Sequence, residues 1–389
     1  MRLTEAEAKA LLRRHGVAVP NSVLLAGDAV PEEAAGWRGL VLKAQLAEGG
    51  RGKRGLVRLV TPETLMPARA EMHAILGPDA ADTGFLLEEA VPIAREMFLA
   101  LRVDGTGQCI EMLFSEHGGI AVEEGEPVLR LALDAEAPGL AERIHAGIGR
   151  RLAPALAARV ARQAARLTAV MRDEDLELLE INPLALLEDG RLLALDAKLL
   201  RDDAAAPRHD AEATRASAAI EERSLTPLER RARAQGFTLV EMPGDVALVS
   251  AGAGLGMFLV DLLADHGLAA ASFMDNRRGG PAETTEARLD AAFALARRPE
   301  VRAILFYTTL ASRPVADRIE TLLGFLARNP APKPLYVGFA AAPSASRGFD
   351  AEAAASRLQA AGVALLHDDP LTLVRAIAAN TGAPPAKAA

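Results

Sequence analysis

The sequence predicts a multidomain protein of mixed α/β and α+β class, whose second part is a doubly wound parallel sheet. Two observations carry this. From Val246 onward, five short apolar runs are each followed by an Ala/Leu-rich helical run: VALVS (246–250), AASFMD (270–275), RAILFYT (302–308), PLYVGFA (334–340) and VALLHD (363–368). Parallel neighbours need crossovers of that kind, and the crossovers cover the sheet with helices. Before these runs, residues 201–245 are polar, Ala-rich and charged, with weak apolar periodicity, which marks a connector. A chain of 389 residues holds two or three domains. The expected division is 1–235, with a connector over 201–240, then 241–380, then a small Pro-containing disordered tail over 381–389.

The front half reads element by element. Thr4 with Glu7 three residues on forms a capping box, Leu11 and Leu12 supply an apolar helix face, and Gly16 stops the helix. A short strand over 22–25 follows. GLVLKAQL (39–46) is a strand that runs into a loop dense in glycine and basic residues. FLLEEA (85–90) and EMFLALRVD (96–104) are strands, and residues 141–171 are helical with breaks. LELLEINPLALLEDGRLLALDAKLL (176–200) reads as two strands joined by a turn at Glu188-Asp189-Gly190.

Composition excludes several classes. The net charge of −8 argues against a general nucleic-acid binder, because phosphate backbones demand a basic surface. The single cysteine, Cys109, can form neither an internal disulfide nor a Cys-based zinc site, and it reads as filler in a strand. No stretch approaches 18 uninterrupted apolar residues and the N-terminus has no apolar leader, so the expectation is a cytoplasmic protein with no membrane segment.

Four clusters can carry chemistry. Lys43 on a strand precedes Gly49-Gly50-Arg51-Gly52-Lys53, where glycines let backbone N–H groups approach phosphates and basic side chains neutralise them; the same run also reads as an exposed basic turn. Glu88 and Glu96 are carboxylates at strand ends, suited to a ribose hydroxyl or an amino group, or simply to water. Asn182 and Asp196 lie fourteen apart on two strands joined by a tight turn, which sets two oxygen ligands side by side as Mg²⁺ prefers, and Glu180 shares the strand face of Asn182. Ser250 to Gly256 is a small-residue βα turn that serves either an anion or close helix packing.

Taken in order, TEAEAKALLRRHGVAVP, KAQLAEGGRGKRG, LLEEAVPIAREMFLALRVD, LELLEINPLALLEDGRLLALDAK and SAGAGLGM resemble the β subunit of succinyl-CoA synthetase over almost the whole chain. The resemblance implies an N-terminal ATP-grasp fold followed by a flavodoxin-like CoA-ligase domain. It implies that Lys43, Gly50, Arg51, Gly52, Glu88, Val91 and Glu96 bind ATP, that Asn182 and Asp196 hold Mg²⁺, and that Glu180 meets a phosphohistidine. Pro20 stands where the family separates ATP from GTP forms, and leans to ATP. The histidine loop belongs to an α subunit, which is therefore an implied partner, with CoA and a small carboxylate as further substrates.

The second half departs from that family at the acid-facing end. Ala251 replaces an expected asparagine, Leu310-Ala311-Ser312 replaces a Gly-Gly-Ile turn, and Asn276-Arg277-Arg278-Gly279-Gly280-Pro281 replaces a glycine-rich run. Arg277, Arg278 and Arg313, with Thr308, Thr309 and Ser312, can serve a hydroxylated, larger or sulfonated acid, and the arginines equally read as solvated loop residues. The same changes are open to a second reading, a nucleotide-binding paralogue whose acid site has decayed, and the first half alone permits a carboxylate–amine ligase.

Overall fold

A computed structural model describes residues 1–27, 29–46, 50–77, 83–119, 127–250, 252–276, 284–310, 314–347 and 349–382. Within it the chain divides into two compact units, Met1–Arg223 and Ser224–Ala389.

The first unit opens with helix α1 (Glu5–Arg14), whose start is the capping box expected of Thr4 and Glu7: the Thr4 hydroxyl accepts the Glu7 N–H at 3.3 Å. The strands that follow are β1 (Ser22–Leu24), β2 (Leu40–Ala44), β3 (Val57–Val60), β4 (Phe85–Glu89), β5 (Ile93–Asp104), β6 (Cys109–Ser115) and β7 (Leu129–Leu133). Helix α2 (Leu65–Leu76) lies between β3 and β4. Helices α3 (Leu140–Ile148) and α4 (Pro154–Asp173) then lead to β8 (Leu176–Leu187), β9 (Leu192–Ala194) and β10 (Ala197–Arg201). Two antiparallel sheets result, one ordered β1-β4-β2-β3 and one ordered β10-β8-β5-β6-β7, with β9 on β8. Each has its own core: Leu42, Met72 and Leu87 pack in the first, and Leu99, Met112, Val160 and Leu179 in the second.

The long hairpin over 176–200 turns where the sequence places it, but its second strand breaks at Leu195-Asp196. Leu184 pairs with Ala194 and Ile181 with Ala197, so Asn182 stands opposite the break. The interruption frees the Leu195 carbonyl and the Asp196 side chain from the ladder. Strands β3 and β7 carry only a partial apolar pattern, and the sequence reading passed over them.

The second unit begins in the stretch that composition marked as connector. Helix α5 (Arg215–Ser224) crosses the division, and α6 (Pro227–Ala234) and β11 (Phe237–Glu241) follow it. Phe237 and Leu239 are buried by simple alternation, a short signal hidden behind a long charged, Ala-rich stretch. Next come β12 (Val246–Val249), α7 (Ala253–Asp265), β13 (Ser272–Asn276), α8 (Thr285–Ala296), β14 (Ala303–Leu310) and α9 (Val315–Arg328). The unit ends with β15 (Leu335–Ala341), α10 (Ala351–Ala360), β16 (Val363–Leu366) and α11 (Pro370–Thr381). Thr381 thus closes a helix, and residues 383–389 of the expected tail lie outside the described residues.

Strands β12-β14-β15-β16 form the parallel sheet, and alternate residues face two different cores. Ala247, Val249, Ile304 and Phe306 pack with α8, α9 and α10, while Val246, Leu248, Leu305 and Tyr307 pack with α7 and α11. That is the double winding the alternating pattern predicts. The second strand departs from a regular ladder. β13 pairs antiparallel with β11 and meets β12 at one parallel bridge, Val246 to Ala270. Beyond the bridge the backbones part and serine hydroxyls span the gap. Ser272 Oγ accepts the Leu248 N–H at 3.0 Å and donates to the Leu248 carbonyl at 2.9 Å, and Ser250 Oγ donates to the Met274 carbonyl at 3.1 Å. The spatial order β13-β12-β14-β15-β16 is the flavodoxin-like one.

Ser272→Ala strips the Leu248 N–H and C=O of their only described partner in the interior. The expected cost is about 1–3 kcal/mol, read as a lower denaturation midpoint of the full chain in urea. An unchanged midpoint would show that the two strands close up without the hydroxyl.

Candidate functional site

The site grows from the first residues of the chain. Leu3 donates its N–H to the Leu199 carbonyl at 3.0 Å, which lays the N-terminus along β10 and starts α1 beside the Leu195-Asp196 break. The Ala6 N–H is capped by Gln45 Oε1 at 2.9 Å, so the first turn also abuts the end of β2. The buried face of α1 comprises Glu5, Ala8, Lys9, Leu11 and Leu12. An amphipathic helix ordinarily keeps that face apolar. Here an acid and a base stand on it, four residues apart, with their charged atoms 2.7 Å from each other.

Around this pair a closed set of ions forms. Lys43 Nζ lies 2.8 Å from Glu5 and 2.8 Å from Glu88. Lys9 pairs with Glu88 as well as Glu5, and its side chain is wholly buried. Both lysines donate to the freed Leu195 carbonyl, at 2.6 Å from Lys9 and 2.9 Å from Lys43. Arg51 uses its two terminal nitrogens differently. Nη1 lies 2.7 Å from Glu5 and donates to the Ala44 carbonyl at 3.1 Å, whereas Nη2 donates to both oxygens of Asp196 at 2.8 Å each. Three cations therefore balance three carboxylates.

Burial disfavours the charges of Glu5, Lys9, Lys43 and Arg51, and their partners reverse or share that cost. For Glu5, burial pushes the carboxyl up, but Lys9, Lys43 and Arg51 together hold it well below the usual carboxylate range. For Lys43, burial pulls the ammonium down, and Glu5, Glu88 and Asp196 more than restore it. Arg51 behaves likewise, with Asp196 and Glu5 outweighing burial. Lys9 ends on the other side: burial, aided by Lys43, draws it below an ordinary lysine.

A cavity of about 430 Å³ opens beside this network, lined from both sheets of the first unit. Lys43, Arg51, Glu88 and Asp196 stand at its charged end with Gly50 and Gly52. Val41, Leu59, Val91 and Ile93 give it an apolar wall. Asn182 Oδ1 accepts the Gly119 N–H at 2.6 Å and its own N–H donates to the Asp196 carbonyl at 3.3 Å, which fixes the amide next to Asp196. On the same strand face, Glu180 sits across from Lys198, with 3.6 Å between their charged atoms. Among the described residues, no group of three or more His, Cys, Asp or Glu is arranged to hold a metal. The oxygen donors Asn182 and Asp196 suit a hard cation that takes its remaining ligands from phosphate and water.

Comparison with known proteins places the chain in a family. The ATP-grasp domain matches residues 2–186. The succinate–CoA ligase [ADP-forming] subunit beta of Methylobacillus flagellatus is 35% identical over 327 residues, 78% of this chain and 81% of that protein. The subunit of the same name from Ignicoccus hospitalis is 31% identical over 316 residues, again 78% and 81%. The chain belongs to the succinate–CoA ligase β-subunit family. A solved ATP citrate lyase from Methanothrix soehngenii, in complex with citrate and coenzyme A, has the same overall fold at a TM-score of 0.66 and 19% identity. It covers 98% of this chain and 99% of its own.

Set against the family pattern, Lys43, Gly50, Arg51, Gly52, Glu88, Val91, Glu96, Glu180, Asn182 and Asp196 all line the one cavity. Glu88 is not the free strand-end carboxylate the sequence allowed, since it is buried between two lysines. Glu5 and Lys9 were missed as site residues. The signal was present in two charged residues on the inward face of a helix whose other inward residues are Ala8, Leu11 and Leu12. Of the acid-facing positions, Ala251, Arg277, Arg278, Ala311, Ser312 and Arg313 lie outside the described residues. Leu310 is described: its side chain is buried in the sheet core and its carbonyl accepts the Ala342 N–H at 2.8 Å, so it turns no polar group outward. No helix among the described residues is long and apolar enough to cross a membrane.

Lys9→Met removes a buried cation from two carboxylates and should cost about 3–5 kcal/mol in urea denaturation. A loss under about 1 kcal/mol would mean the pair is not closed in solution. Acid gives a separate check. Folding depresses the Glu5 carboxyl, so the stability it adds is complete above its ordinary value of 4.5 and drains away as the pH falls further. The difference in midpoint between wild type and Glu5→Gln should narrow below that pH, and a constant difference would contradict it.

Proposed function

We propose that this chain is the nucleotide-binding β subunit of an ADP-forming acid–CoA ligase and that it works with an α subunit. The observation that carries the reading is the convergence of Lys43 and Arg51 on one cavity wall with Asn182, Asp196 and Glu180. Those side chains meet the needs of a triphosphate, a magnesium ion and a phosphoryl acceptor in that order.

A carboxylate is a poor electrophile, so joining it to a thiol requires activation. In the proposed sequence ATP phosphorylates a histidine of the α subunit, the phosphoryl group passes to the acid, and CoA displaces phosphate. Lys43 and Arg51 counter the charge that spreads over the transferring group, and the Gly50 and Gly52 backbone lets the phosphates approach. Asn182 and Asp196 would hold Mg²⁺, which would supply positive charge against the phosphates. Glu180 accepts a hydrogen bond from the incoming imidazole and holds it in line. Val41, Leu59, Val91 and Ile93 offer an apolar slot of the kind a purine base fills, and Pro20 leans the choice to ATP.

For the acid, we propose a carboxylate related to succinate rather than succinate itself. The support is the replacement of the family's small turn by Leu310-Ala311-Ser312 and of its asparagine by Ala251. Arginines at 277, 278 and 313 suit an acid with an extra hydroxyl or sulfonate.

The test is co-purification with an α-type chain that carries a histidine loop. ADP release should then depend on both CoA and an acid, with a hydroxylated, larger or sulfonated acid preferred. A wide preference for succinate would refute the specificity assignment alone. Lys43→Ala and Asp196→Ala should each lower phosphorylation of the partner histidine by about 10²–10³-fold. Wild-type levels in either variant would remove that residue from its role.

A further inference from the structure

Two facts about Arg51 set up a further inference, which rests on the nucleotide reading above. Among the described residues its Nη2 is held only by Asp196, a side chain that is 38% exposed and that the nucleotide reading assigns to the metal. Its Nη1 is held by Glu5 and by the Ala44 carbonyl, both in the interior. A magnesium ion on Asp196 competes with Nη2 for the same oxygens. Once that exchange occurs, the guanidinium keeps its place through Nη1 alone.

Glu5 also stands behind Lys43, at 2.8 Å from Nζ, and behind Lys9, at 2.7 Å. It lies in the cavity wall but its side chain is only 1% exposed, so it presents almost no surface to a ligand there. With Asp196 turned to a metal, Lys9, Lys43 and Arg51 face only Glu5 and Glu88, and the balance leaves one net positive charge toward the phosphates. Without Glu5 as well, three buried cations would share a single carboxylate. Such an arrangement relaxes by moving a cation away or by shedding a proton.

We propose that Glu5 is a positioning residue of the nucleotide site, a buried carboxylate on the first helix turn that holds Arg51 and Lys43 against the triphosphate while Asp196 is given over to the metal. It acts through those two side chains and touches no reacting atom. Its partner Lys9 keeps Glu5 and Glu88 compensated from the side facing away from the cavity.

The measurement is a ratio of affinities, by calorimetry on the full chain, for MgATP and for AMP. A role confined to folding weakens both ligands together and leaves the ratio alone. A positioning role acts on the β- and γ-phosphates, which AMP lacks. In Glu5→Gln the preference for MgATP over AMP should fall by about 10- to 100-fold, the size of one or two lost charge-assisted contacts. Glu5→Asp, which keeps the charge on a shorter arm, should recover part of it. Glu5→Gln with the wild-type ratio overturns the proposal. If that variant does not fold, the decision passes to Glu5→Asp, where a preference lowered at least about threefold supports the proposal and an unchanged one overturns it. Wild-type protein that does not prefer MgATP to AMP would instead overturn the nucleotide reading, and the role of Glu5 with it.

Discussion

Three cations and three carboxylates packed into one corner of a protein have to satisfy one another, because water is not there to do it. Removing an isolated charge from water costs several kcal/mol even after relaxation, and only good geometry and matched sign offset that. The network of Glu5, Lys9, Lys43, Arg51, Glu88 and Asp196 meets both conditions. Lys9 stands behind the cavity wall, and the other five line it, with Asp196 the most exposed of them.

The surrounding fold follows from keeping that network in place. Residues 1 to 3 run along β10, so α1 starts where β10 is interrupted. The interruption supplies the Leu195 carbonyl to both lysines and leaves Asp196 outside the ladder. Strand β2 brings Lys43, β4 brings Glu88, and β8 brings Glu180 and Asn182. Strands of both sheets and one helix contribute to a single cavity. A one-residue slip in β8 would turn Glu180 and Asn182 away from it, because side chains alternate along a strand.

In the second unit the same economy of contacts appears at the carboxyl ends of the strands. Arg288 is buried there and donates to the Ser250 carbonyl, to Asn276 Oδ1 and, at 2.9 Å, to Thr284 Oγ1. It ties together the ends of β12 and β13, where the ladder between them has already given way to serine bridges.

Much of this was legible in the residues. The alternation of five apolar runs with helices identified the doubly wound sheet, and the hairpin with its Glu-Asp-Gly turn set Asn182 across from Asp196. Lys43, Arg51 and the glycines beside it were recognisable as one basic, glycine-rich cluster. The edge strand Phe237–Glu241 was not, because two inward apolar residues are too few to stand out from a long polar stretch. Local pattern encodes which element forms and which face it buries, since both depend on neighbours a few residues away. What only the tertiary structure decided is which charges share a partner. Glu5 and Arg51 are 46 positions apart, and Arg51 and Asp196 are 145 apart. Coulomb energy depends on distance in space and on exclusion of water, and neither is written in the spacing of residues along the chain.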